Sequence, residues 1–210
     1  LGPCAGGAVY SPALTDFVFV VDNISKMFIT DPEVIKAVLG EEISMEDLGG
    51  ARVHSEITGN AHFFSSSEEE CFSQIRKLIS LIPWHNGQKA KNAEPAEPDP
   101  AYDIEKIVPE DPTLPYDVKD IIKSVLDRSD FFEVMENYAR NIVIGFGRIG
   151  GRTAGFVANQ PLEMAGVLDV DSSDKAAGFI RYCDAFNIPI ISFVDIPGYL
   201  PGIDQEHAGI

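Results

Sequence analysis

The chain is short of cations. Lys and Arg number 16 against 33 Asp and Glu, for a formal net charge of −17. Nucleic acid is not an expected partner, because neutralising phosphates takes clustered Lys and Arg. The acidic excess lies at Glu41-Glu42, Glu68 to Glu70 and Glu94 to Asp103, and reads as solvated surface. Cysteine is scarce too: Cys4, Cys71 and Cys183, an odd count without a C-x-x-C pair. That argues against a disulfide framework or a zinc site and fits a reducing, cytoplasm-like compartment. No apolar run approaches the roughly 18 residues needed to span a bilayer, so no membrane contact is required. His54, His62, His85 and His207 lack metal-ligand spacing, and no metal is expected. The chain also lacks an initiator Met and a polar tail. It opens in an apolar-glycine segment and stops at Gly209-Ile210, and is expected to be a piece of a longer protein.

What it does have is two glycine-proline segments at opposite ends, Gly2-Pro3-Cys4-Ala5-Gly6-Gly7-Ala8 and Asp195-Ile196-Pro197-Gly198-Tyr199-Leu200-Pro201-Gly202. Neither contains a nucleophile paired with a base. Cys4 has no neighbouring base or cation to activate it and reads as a small buried residue. Glycine bares the backbone to a ligand, so the chemistry indicated is that of peptide N–H groups, as in an oxyanion hole. Gly6-Gly7 precede a short helix expected over Ala8 to Ala13, whose first amides have no internal partner. Spacing alone leaves two readings open there: anion-binding amides, or a tight turn set by packing.

The rest of the pattern is α/β. Phe17 to Val21 reads as a buried strand, Asp31-Pro32 as a helix start with Gly40 as its stop, and Ser44 as a second cap. Ser67 ahead of three glutamates starts a helix carrying Phe72, Ile75, Leu78, Ile79 and Ile82. Residues 86–116, with Pro95, Pro98, Pro100, Pro109, Pro112 and Pro115, read as an interdomain linker draped over the surface. The domain division is therefore 1–85, linker 86–116 and 117–210. Asp117 caps the next helix. Strands are expected over Asn141 to Phe146, Thr153 to Ala158 and Ile188 to Val194. A helix capped by Ser172 or Ser173, with Ala176, Ala177, Ile180 and Cys183 on one side, comes before the last strand.

Two motifs are weighed as decoys. Gly145-Phe146-Gly147-Arg148-Ile149-Gly150 has the G-x-G-x-x-G spacing of dinucleotide sites, with Asp169 or Asp171 about 20 residues on, and would serve an NAD-dependent oxidoreductase if a helix followed Gly151. The residues after Gly151 instead suit a strand, which makes the motif a hairpin. Asp195-Ile196-Pro197-Gly198 has the D-x-x-G spacing of GTPases, but no G-x-x-x-x-G-K-[ST] accompanies it.

Longer stretches carry a resemblance. Residues Gly2 to Phe17, Glu41 to Phe63, Val157 to Pro161 and Tyr182 to Ile210 resemble the carboxyltransferase β subunit of biotin-dependent acyl-CoA carboxylases, the propionyl-CoA carboxylase β chain family. The resemblance implies a crotonase-type (ClpP/crotonase) ββα spiral in two tandem domains. Each would be only partly present: 1–85 the later part of the first, 117–210 the early part of the second. It implies transfer of CO2 from carboxybiotin to the α-carbon of a short acyl-CoA, propionyl-CoA to methylmalonyl-CoA. Methylmalonyl-CoA decarboxylase and transcarboxylase subunits of the same family are the alternatives, and a non-catalytic assembly fragment is a third reading.

Biotin on a separate carrier protein or domain, a biotin carboxylase partner and a hexamer follow from the resemblance. So does a cytoplasmic setting, or a mitochondrial matrix one in a eukaryote. Carried over by position, the Gly6 and Gly7 amides hold the thioester oxygen, flanked by Ala5 and Ala8. Pro197, Gly198, Tyr199, Pro201, Gly202, Gln205, Glu206 and Gly209 line the acyl-CoA and biotin cleft. The second oxyanion hole belongs to a motif beyond Ile210. Gly178 and Ala208 depart from the family pattern, which has Arg and Gly at those places.

Overall fold

The computed structural model describes residues 1–111 and 113–210; Pro112, one of the linker prolines, lies outside them. The described chain divides into two units, Leu1–Lys77 with Met135–Tyr138, and Leu78–Val134 with Ala139–Ile210.

In the first unit β1 (Pro3–Ala5) runs into a 3-10 turn, Gly6–Val9, and then α1 (Tyr10–Ala13). The helical segment thus starts two residues before the expected Ala8 and takes both glycines into its first turn. β2 (Phe19–Val21) occupies the centre of the apolar run, and β3 (Lys26–Phe28) lies parallel to β1 with Cys4 opposite Met27. α2 (Pro32–Leu39) begins where the Asp31 carboxylate accepts the Glu33 and Val34 amides at 2.9 and 3.1 Å. It ends at Gly40 with φ 75°. Ser44 Oγ accepts the Asp47 amide at 3.0 Å and starts α3 (Met45–Gly49), which leads on to a π-helical turn, Val53–Ile57.

β4 (Phe63–Ser65) pairs in parallel with β2, and the Phe19 and Phe63 rings stack at 4.5 Å. Val9, Val18, Val20, Met27, Ala51 and Ala61 form this unit's core, and Cys4 packs against it. His54 is buried, its Nε2 2.6 Å from the Met27 carbonyl and its Nδ1 2.9 Å from Thr58 Oγ1. His62 Nδ1 accepts the Val18 amide at 3.1 Å, and burial pushes its pKa down to about 4. Both histidines serve the fold.

The unit boundary falls within α4 (Glu68–Leu81), capped as expected by Ser67 Oγ, which accepts the Glu70 amide at 3.2 Å. Its face is corrected. Cys71, Leu78 and Leu81 are buried, while Phe72 and Ile79 are 46% and 42% exposed. The small thiol, not the larger ring beside it, takes the inner position.

In the second unit the linker carries one short helix, α5 (Ile104–Ile107). It is tied down along its length: the Ala93 amide donates to the Gly151 carbonyl, Glu97 accepts the Arg128 amide, and the Asp99 amide donates to Ser129 Oγ. α6 (Val118–Val125) follows the Asp117 cap. β5 (Phe132–Val134), β6 (Ile142–Ile149), β7 (Arg152–Asn159) and β8 (Ile190–Phe193) form a sheet in that order. β5, β6 and β7 are antiparallel neighbours, and β8 runs parallel to β7. The parallel step needs a crossover, supplied by α7 (Val170–Ala185). Val118, Ile122 and Leu126 of α6 and its C-terminal flank pack with Val143, Ala154, Phe156 and Ala158.

Two details of α7 differ from expectation. Its cap is Asp169, in a capping box with Ser172, rather than Ser172 or Ser173. Its buried face is Ser172, Lys175, Phe179, Tyr182 and Cys183, whereas Ile180 is exposed. The Phe179 ring fixes that orientation by packing 4.9 Å from Phe146. β8 stops at Phe193, and α8 (Ile203–Ala208) carries His207 in its last turn.

A Cβ at the helical Gly178 would meet nothing within 4 Å. Gly178→Ala is expected to stabilise the intact protein by about 0.5–1 kcal/mol, since glycine in a helix interior is that much worse than alanine; the denaturant midpoint should rise, and a fall would show that α7 needs the glycine for packing. His62 gives a pH test. Its folded pKa lies below its ordinary value, so its contribution is complete above pH ~6.5 and is lost as pH falls towards 4. His62→Gln should flatten that part of the stability–pH curve.

Candidate active site

The amino-terminal segment places its amides at the carboxyl end of a parallel strand pair. Ala5, opposite Phe28, is extended at φ −130°, ψ 157° and stands where a capping side chain would be, but has only a methyl group. The first N–H groups of a helical turn have no acceptor within the turn. With no cap from Ala5, the amides of Gly6, Gly7 and Ala8 begin the turn without a side-chain acceptor. Gly6 turns the chain sharply with φ 59°, a conformation that a Cβ disfavours. Ala5, Gly7 and Ala8 are exposed, and a Cβ at Gly7 would meet nothing within 4 Å. There is room beside Gly7, whereas Gly6 is only partly exposed and a Cβ there would lie 3.9 Å from the Ile29 carbonyl. Cys4, partly buried in the core beside them, is not aimed at it by any contact with a base.

The carboxyl-terminal segment belongs to the second unit. Pro197, Gly198, Tyr199, Pro201 and Gly202 follow the carboxyl end of β8, Gln205 and Glu206 lie on α8, and Gly209 closes it at φ 93°. Three ties hold the segment. The Tyr116 hydroxyl donates to Asp195 Oδ2 at 2.8 Å. Burial, with the Asp195 hydrogen bond and charge, pushes the Tyr116 pKa up to about 12, so the phenol stays a donor at any working pH. Leu168 brackets the turn, its amide donating to the Gly198 carbonyl and its carbonyl accepting the Leu200 amide at 2.7 Å. Gln205 Oε1 accepts the Val170 amide at 2.9 Å, at the first residue of α7. The Gly209 amide is taken up by the Gln205 and Glu206 carbonyls. Tyr199, at 63% exposed, and the exposed Glu206 are left facing outward.

The dinucleotide reading of Gly145 to Gly150 is overturned. β7 follows Gly151, so no helix N-terminus faces a pyrophosphate. Gly150 and Gly151, at φ 57° and 77°, form the tip of the β6–β7 hairpin. Their amides already have an anion: they donate to Asp127 Oδ1 and Oδ2 at 2.9 and 2.7 Å. Sequence reading missed Asp127, Tyr116 and the Gln205 tie. Each acts over a long separation, 79 residues for Tyr116 and Asp195, and no local spacing announces it. Among the described residues no group of three or more His, Cys, Asp or Glu could hold a metal ion, and no helix is long and apolar enough to cross a membrane.

Comparison with known proteins fits this geometry. The carboxyl transferase domain family matches residues 1–210. The carboxyltransferase subunit of propionyl-CoA carboxylase from Haloferax mediterranei is 54% identical over the whole chain, which covers 41% of that protein. Methylmalonyl-CoA decarboxylase subunit alpha from Veillonella parvula is 50% identical, again over the whole chain and 42% of the relative. The crystal structure of the transcarboxylase 12S hexamer with hydrolysed methylmalonyl-CoA superposes with a TM-score of 0.94 at 46% identity, over 99% of this chain and 41% of that one. The chain thus spans about two fifths of the length of the relatives it matches. Over that span its fold is the crotonase-like α/β arrangement of these carboxyltransferases, and the chain belongs to the carboxyl transferase domain family.

Proposed function

We propose that the protein of which this chain is part moves CO2 between carboxybiotin and the α-carbon of a short acyl-CoA, with propionyl-CoA and methylmalonyl-CoA as the pair. The observation that supports this reading is the uncapped turn: Ala5 offers no side-chain acceptor, and Gly7 is exposed with room beside it. Such a site suits an oxygen that becomes negative during reaction and needs no side-chain base beside it. In the proposed chemistry the Gly6 and Gly7 amides hold the thioester oxygen as the α-carbon loses its proton, and so lower the energy of the enolate. Ala5 and Ala8 leave room beside it. Biotin, bound through its carrier, supplies both the CO2 and the proton acceptor. Pro197 to Gly202, with Gln205, Glu206 and Gly209, form one wall of the acyl-CoA and biotin cleft. Tyr116 and Leu168 fix the position of that wall.

The domain reading is kept as part of the proposal: 1–85 and 117–210 as parts of two tandem carboxyltransferase domains, joined by 86–116. A hexamer, with a biotin carboxylase and biotin carrier as partners, in the cytoplasm or the mitochondrial matrix, completes it. Relatives named as decarboxylase and transcarboxylase subunits keep those two activities as the second reading.

The test uses the complete subunit, methylmalonyl-CoA and free biotin as acceptor. Gly7 is not a positive-φ glycine and lies in the first helical turn, where proline is tolerated, so Gly7→Pro deletes one N–H. Gly7→Pro should lower turnover by roughly 10²–10³-fold, the cost of one oxyanion-hole donor. Gly7→Ala keeps the amide and adds a methyl group where there is room, and should stay near wild type. Full activity in a folded Gly7→Pro subunit would rule out that donor.

A further inference from the structure

A cavity of about 350 Å³ in the second unit lies away from every residue placed in the proposed cleft. Its walls are the linker around Lys89 and Asn92, the start of β7 at Arg152 and Thr153, and the Asn187–Pro189 loop that leads into β8. It therefore sits at the amino end of β8, whereas the Pro197 to Gly202 segment leaves the carboxyl end.

Its lining runs against the charge of the chain. The net charge is −17, yet the described residues around this cavity include two cations, two side-chain amides and a hydroxyl, and no carboxylate. Among the described residues neither Lys89 nor Arg152 has an ion-pair partner. Thr153 is only 6% exposed, and its Oγ1 is buried with no hydrogen-bond partner. That oxygen lies too deep for a ligand atom to touch, so the polar face of the cavity is made by Lys89, Asn92, Arg152 and Asn187. Asn187 Nδ2 donates to the Asn86 carbonyl at 3.0 Å, which orients the side chain and leaves its second N–H available.

We infer that this cavity binds phosphate, either as the free ion or as the phosphate group of a small molecule. The donors decide the class. A guanidinium fork, an ammonium and two amide groups offer more N–H groups than the two oxygens of a carboxylate can accept. A phosphate offers more oxygens and charge to match them. The volume falls in the range of small-molecule sites. Binding here is independent of the carboxyl-transfer reading, because no residue is shared with it.

The experiment is calorimetric titration of the complete subunit with inorganic phosphate and, in a separate arm, with ribose 5-phosphate. Saturable binding at one site per chain is expected. Lys89→Gln with Arg152→Gln should weaken it at least ~10-fold, because both charge-assisted contacts are lost. Asn92→Ala removes one amide donor from the lining and should weaken binding several-fold. Tighter binding of ribose 5-phosphate, lost in the same variants, would identify a phosphorylated small molecule as the source, and binding of inorganic phosphate alone would identify the free ion. Absence of saturable binding, or affinity unchanged in the double variant, would overturn the assignment.

Discussion

A backbone N–H withdrawn from water must find an acceptor, and the helix and hairpin ends of this chain are organised by that requirement. Asp31, Ser44, Ser67, Asp117 and Asp169 each supply an oxygen to the first amides of a helix. Asp127 does the same for the hairpin tip, one carboxylate oxygen for each of Gly150 and Gly151. The turn at Gly6 has no such cap, and neither do α8 or the 3-10 turns Asp127–Ser129 and Met164–Gly166. At Gly6 the capping position holds Ala5, which has nothing to offer. The two glycine pairs therefore have opposite standing although both look permissive in sequence. One is closed by a carboxylate of the protein. The other has no carboxylate of the protein bonded to it, and it is the pair proposed to hold the thioester oxygen.

The sheets place both proposed segments at strand carboxyl ends. β1 delivers Ala5 and the glycine turn beyond its pairing with β3, and β8 delivers the Asp195 to Gly202 segment beyond its pairing with β7. In parallel arrangements ligands commonly bind in this position, where loops leave the sheet. Rigid delivery matters because an oxyanion donor is effective only within a few tenths of an ångström of its place. In the first unit that rigidity comes from Val9, directly after the exposed amides, which is anchored in the core with Met27. In the second it comes from Tyr116, Leu168 and Gln205, each bonded to the loop or helix that follows β8.

Much of this was legible in the residues. Capping chemistry is local, so Asp31-Pro32 with Gly40, Ser44, Ser67 and Asp117 were each read correctly. The strand after Gly151 was also legible, because Thr153 to Ala158 suits a strand better than a helix, and that disposed of the dinucleotide motif. What failed was orientation. Phe72 and Ile180 sit at helical spacing with buried neighbours but point outward, since Cys71 and Phe179 take the inner positions. Periodicity gives a stripe to within about one residue either way, and packing chooses the edge. The Ser172 cap was misplaced by the same kind of margin: it is the third helical residue of a capping box whose first member is Asp169. The openness at Gly7 could not be read from spacing. It depends on what Ala5 lacks and on the empty space beyond Gly7, and both are facts of the folded chain.

The acidity of the chain bears on how it can meet an anion. A net charge of −17 opposes the approach of negatively charged molecules at long range, although salt screens exposed charges beyond about 10 Å at 0.1 M. Attraction must then be supplied locally, by groups that act at contact distance. Amide dipoles at a turn meet that condition without adding charge, and they are fixed in direction by the backbone. Around Lys89 and Arg152 the same need is met with formal cations, confined to a cavity whose described lining has no carboxylate. The two solutions suit different tasks. Neutral dipoles favour an oxygen most strongly when its charge has developed, which is what turnover requires, whereas unpaired cations hold an anion that is already fully charged.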